Sequence, residues 1–249
     1  VLPIIWVTKK QKSAPNPNTG KLTLILSLYS VAPFLTWGVM KVESISWSEI
    51  GIFERDSLLQ SILFGYCLSI LILFCIYGIE LTFGWLLLKT KPIINQYFAI
   101  TIASLLLVSF LIGAIEELIF RGVLVHFLRV DYSLWMSAII SSIIFALLHL
   151  IWEQKNTIPQ LPGLFLMGLV LFYACNITHG NLGLAIGLHS GWVLVLAGVD
   201  TFDLYDYNEN FSGWLVGKKD QPLGSIVGLM VLCLTTLFLF LINQFILVL

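Results

Sequence analysis

Long apolar runs separated by short polar stretches set the pattern of this chain. Crossing the hydrocarbon of a bilayer takes about 20 mainly apolar residues, and at least six or seven runs meet that measure. The first, Leu22 to Met40, is bracketed by Lys21 and Lys41 and contains Pro33. An amphipathic piece, Trp47 to Ser57, then reads as a surface connection. The second run, Leu58 to Leu88, is long enough to tilt or to carry an interfacial extension, and it ends at Lys89 and Lys91. The third, Ile93 to Leu128, exceeds one crossing and is expected to break or project near Gly113 or Gly122. Leu134 to Leu150 is the fourth, closed by Trp152 and Glu153 at an interface. Pro159 and Pro162 separate it from the fifth, Leu161 to Cys175, whose Gly163 and Gly168 allow close helix approach. After a polar turn, Asn176 to Asn181, come the sixth, Leu182 to Val199, and the last, Leu223 to Leu249. Asp200 to Asp220 is the one extended polar loop and is expected to be a solvated connection, with a lid or recognition loop as the alternative.

Composition places the chain outside the soluble class: 58% of residues are hydrophobic, 11% are charged, and the mean hydropathy is +0.95. A core of this size cannot hide that much apolar surface. The prediction is an all-α polytopic membrane protein, a bundle of about 7–8 transmembrane helices around an intramembrane polar cavity. It is expected to form one transmembrane domain over 1–249. A formal charge of -1 and the lack of any basic run exclude nucleic acid as a partner; the lipid bilayer is the expected environment. Lys9, Lys10, Lys12 and Lys21 put the N-terminus on the cytoplasmic side. Cys67, Cys75, Cys175 and Cys233 form no CxxC pair and are expected to be small buried apolar residues.

Against this background the charges that remain are informative. From Pro92 to Ile115 there is no Asp, Glu, Lys or Arg, and then Glu116, Glu117 and Arg121 follow within six positions. Ionisable groups at membrane depth persist where they pair or line a wet cavity. Glu117 and Arg121 lie four apart on one helical face and pair; Glu116 is rotated by about 100° and turns to other helices. His149 and His189 stand in otherwise uncharged runs on separate segments, and polar groups of this kind are cheaper together than apart. A glutamate in apolar surroundings is suited to act as general base toward water, with imidazoles polarising the water or holding an oxyanion. The same set, Glu116, His149 and His189, also matches a catalytic zinc with an open position, although HExxH is absent. The cofactor expectation is therefore none or a divalent metal, zinc. Glu80 is expected to reach lipid headgroups from an interface, with a further polar member of the site as the alternative. His126 is expected to face away from the cluster and His179 to meet solvent.

EELIFR at Glu116 to Arg121, FALLH at Phe145 to His149 and HSGWV at His189 to Val193, in this order on successive apolar segments, resemble the CPBP family of CAAX proteases and bacteriocin-processing enzymes, also called the Abi family. The similarity covers about 111–198. It implies an intramembrane endopeptidase acting on a membrane-embedded or membrane-anchored protein or peptide. Glu116 would activate water with help from His149, Glu117 and Arg121 would form a structural pair, Phe145 would be the motif phenylalanine, and His189 would be the second histidine. Four residues after that histidine the family typically has asparagine or aspartate, where this chain has Val193. Valine offers no donor, and losing one oxyanion donor costs roughly 100- to 1,000-fold in turnover. The resemblance thus leaves open a slower enzyme, one in which Asn176 or Asn181 substitutes, or a scaffold that binds another membrane protein in a partner complex.

Overall fold

The computed structural model describes residues 17–53, 55–89, 97–151, 154–218 and 221–246. Lys9, Lys10, Lys12, Lys91, Trp152, Glu153, Lys219 and Asp220 lie outside the described residues. The chain forms two compact units, Val1–Ile45 and Ser46–Leu249. The first contains α1, Pro17–Val42, a 26-residue helix that runs through Pro33 and leaves Phe34, Leu35 and Trp37 exposed.

The second unit is built from α2 (Arg55–Thr82), β1 (Leu86–Leu88), α3 (Phe98–Glu117) continued by a π-helical segment (Leu118–Leu124) and α4 (Val125–Asp131), then α5 (Leu134–Leu148) with a 3₁₀ turn at His149–Ile151. Short α6 (Gln154–Thr157) and a 3₁₀ turn (Ile158–Gln160) lead into α7 (Leu161–Ile177). These are followed by α8 (Gly183–Phe202), β2 (Tyr205–Tyr207), α9 (Gly213–Val216) and α10 (Ile226–Ile246). Six helices among the described residues are long and apolar enough to cross a membrane: Ser57–Thr82, Phe98–Asp131, Leu134–Ile151, Gln154–Ile177, Gly183–Phe202 and Ile226–Gln244. The protein is an all-α, multi-pass integral membrane protein.

Helix α8 is the axis of the unit. Its most apolar window is 61% buried, against 17% for the Phe98–Asp131 span and 28% for both Ser57–Thr82 and Ile226–Gln244. Helices α2 and α3 pack on α8, α5 packs on α7, and α7 on α10. The cause is written in α8 as glycines at 183, 187 and 191, a small residue once per turn. A side chain at Gly187 would run into the Ile62 carbonyl of α2, and one at Gly191 into Ser69. The outer helices turn Phe64, Phe74, Leu107, Ile143 and Phe238 outward, the apolar exterior that lipid requires.

Several expectations are corrected. The third run does not break: Phe98–Asp131 is one helix, and near Gly122 its hydrogen bonds change to the π pattern. The end of the second run is not helical. Leu86–Leu88 pairs antiparallel with Tyr205–Tyr207, Leu87 opposite Asp206, so the loop after α8 is tied down, not simply solvated. The Trp47–Ser57 connection buries Ile50 and Gly51, where a side chain on Gly51 would strike the Gly180 carbonyl. Of the cysteines only Cys175 is buried; Cys67, Cys75 and Cys233 are exposed free thiols. Glu80, expected at an interface, is 3% exposed.

Candidate active site

The site begins at the contact between α3 and α8. Gly113 of α3 sits against Ser190 of α8, so closely that a Cβ would collide with it. One turn further along α3 come Glu116 and Glu117, and beside Ser190 stands His189. Close backbone approach therefore brings carboxylates and imidazole into one buried cluster.

Glu117 is fully buried and holds two partners on one oxygen. Arg121 Nη1 donates to Glu117 Oε1 at 2.9 Å, and His189 Nδ1 donates to the same Oε1 at 2.7 Å. Arg121 Nη2 also donates to the Gly168 carbonyl of α7 at 3.2 Å, and its guanidinium lies 4.5 Å from the Phe145 ring centre. The glycine lets α7 come near enough: a Cβ at Gly168 would overlap Ser142. The expected Glu117–Arg121 pair exists, but it is not self-contained, since His189 completes it. A charged pair so deep is stable only with such added hydrogen bonds.

With Nδ1 committed to Glu117, His189 presents Nε2 to the other side, where Glu116 Oε2 lies 3.7 Å away. That exceeds hydrogen-bond distance. Phe145, 0% exposed, is the wall both imidazoles share, its ring centre 4.7 Å from His149 and 6.0 Å from His189. His149 Nδ1 donates to the Phe145 carbonyl at 2.8 Å, which fixes the tautomer and leaves Nε2 as the basic nitrogen.

His149, His189 and Val193 line one cavity of about 190 Å³, together with residues of α2, α7, α8, α10 and the segment after α8. Its wall is mostly apolar, with Tyr77, Glu80, Trp192 and Tyr207 as further polar members. Burial holds the phenols of Tyr205 and Tyr207 above their usual range. Asn176 and Asn181 do not line this cavity. Asn181 Oδ1 accepts from the Gly183 amide at 2.7 Å, and Asn176 lines a second cavity with His126 and His179, so neither is placed to substitute for the missing donor. His179 is exposed, as expected. Among the described residues no three His, Cys, Asp or Glu side chains converge as a metal-binding group. Glu116, His149 and His189 do not fit zinc in this arrangement.

The sequence does not reveal the contact of His189 with Glu117; Glu80 takes the alternative of a polar site member, and Tyr207 and Val216 of the polar loop line the cavity. The glycine spacing of α8 was the available signal for that contact.

Residues 98–195 match the protein family described as Type II CAAX prenyl endopeptidase Rce1-like. The matched segment contains all three motifs. A 24.3 kDa protein of Escherichia coli, described as uncharacterized, is 32% identical over 119 residues, 45% of this chain and 53% of that protein. The chain spans about half the length of this curated relative. No solved structure matches.

Proposed function

We propose, for a chain whose residues 98–195 match the family described as Type II CAAX prenyl endopeptidase Rce1-like, that the protein is an intramembrane endopeptidase hydrolysing a peptide bond near the membrane surface. The observation that carries this reading is His189, held by Glu117 on one side and facing Glu116 on the other, on the wall of a cavity that also holds His149.

In this reading Glu116 removes a proton from water, and His149 Nε2 orients that water. The oxygen adds to the substrate carbonyl, and His189, when doubly protonated, donates through Nε2 to the oxyanion while Nδ1 stays on Glu117. Collapse breaks the C–N bond, and the proton taken by Glu116 passes to the leaving amine. Glu117 and Arg121 position His189 and touch no substrate. The substrate is a membrane-embedded or membrane-anchored protein or peptide, and the N-terminus lies on the cytoplasmic side.

Val193 supports a second reading, a weak or inactive scaffold that binds another membrane protein. The two are separated by comparing new peptide termini in membranes carrying wild type or Glu116→Gln. Hydrolysis predicts termini that vanish in the variant at unchanged protein level. Identical termini, with one membrane complex co-purifying, support the scaffold.

A further inference from the structure

The cavity holds one carboxyl group that the hydrolytic scheme leaves unused. Glu80, in the last turn of α2, is 3% exposed and lines the same cavity as His149 and His189. Among the described residues no donor or cation reaches its side chain, and no Lys or Arg lines the cavity. Lys89, the first cation after α2 in sequence, is held by Asp203 at 2.7 Å and Asp206 at 3.0 Å. A buried carboxyl without a partner is costly in an apolar wall. The cavity is far larger than the roughly 10–15 Å³ one water needs, so a side chain can enter it.

Two phenol rings share this cavity with Glu80: Tyr77, from the turn of α2 before it, and Tyr207, from β2. A carboxylate beside aromatic faces suits a cation, through charge-assisted hydrogen bonds to the first and cation–π attraction to the second. The remaining wall, with Leu73, Ile76, Leu164 and Met167, suits the methylene stem of a long side chain.

We propose that Glu80 is the specificity-determining residue of the cavity, receiving the ammonium or guanidinium of a basic side chain on an otherwise apolar peptide segment. This rests on the hydrolytic reading for its consequence: the basic side chain enters at Glu80 while a neighbouring peptide bond faces Glu116 and His189.

Binding tests it without turnover. The full chain carrying Glu116→Gln, in nanodiscs, is titrated with two dye-labelled decapeptides of leucine and alanine, one with a central lysine and one with norleucine in its place. The lysine peptide binds about tenfold tighter or more, and adding Glu80→Gln brings the ratio to about one while norleucine-peptide affinity holds. Equal affinity for both peptides before Glu80 is changed overturns the proposal, and that comparison needs no second variant. Preference retained in Glu80→Gln also overturns it. So does displacement of the lysine peptide by phosphatidylethanolamine but not by phosphatidylglycerol, which would make the cation a lipid amine. If the lysine preference holds but wild type cuts no peptide, the hydrolytic reading fails and the Glu80 site stands.

Discussion

At the scale of single residues, His189 holds the cluster together, because it is hydrogen-bonded to Glu117 and also faces Glu116. Removing one member of a buried charged network leaves the other uncompensated, which typically costs about 3–5 kcal/mol. Arg121→Met is therefore expected to lower thermal stability in detergent by that order. Replacing Arg121 and Glu117 together by apolar residues recovers part of the loss, because no orphan charge remains. Val193→Asn is expected to raise turnover of any peptide the protein cuts by roughly 10-fold or more, measured as initial rate, if the missing oxyanion donor limits the reaction. The Glu117–Arg121 pair was legible in the sequence because four-residue spacing on a helix needs no tertiary information. The contact from His189 was not, since it depends on the rotation of α8 against α3. Glu80 stays divided between an interface and the site for the same reason: a charge near a helix end resembles an interfacial residue until the neighbours on α8 and β2 are known.

At the scale of elements, helix approach governs the site. Gly113 against Ser190 sets the register in which Glu117 meets His189, and Gly168 lets a carbonyl of α7 reach Arg121. Gly113→Ala forces α3 and α8 apart, and overpacking of this kind typically costs about 1–3 kcal/mol. A lower unfolding temperature together with weakened peptide binding is the expected outcome, whereas Gly38→Ala, which meets nothing within 4 Å, serves as the neutral comparison. The π-helical segment directly follows Glu117 and includes Arg121, a placement in keeping with the frequent use of π-bulges at functional sites. Apolar run length made the spans legible. It could not reveal β1, because Leu86–Leu88 continues the apolar pattern of α2 and a three-residue run carries no period.

At the scale of the whole Ser46–Leu249 unit, a buried α8 is surrounded by helices with lipid-type surfaces, and Tyr207 and Val216 from the segment after α8 line the cavity. That segment is fixed by the β1–β2 ribbon and by Lys89. The hydrogen bond that Lys89 donates to Asp203, then that to Asp206, holds its ammonium above the ordinary value of 10.5. The clamp is fully present below that value and is lost as pH rises through the higher folded one. Lys89→Met is expected to speed proteolysis within 208–212 at neutral pH, and wild type acquires the same sensitivity only in strong alkali. The central claim, that Glu116 drives hydrolysis inside this bundle, is tested most directly with purified protein in liposomes containing an apolar peptide library, read by mass spectrometry. New peptide ends are expected with wild type and none with Glu116→Gln; the same ends from both proteins would contradict a role for Glu116 in hydrolysis.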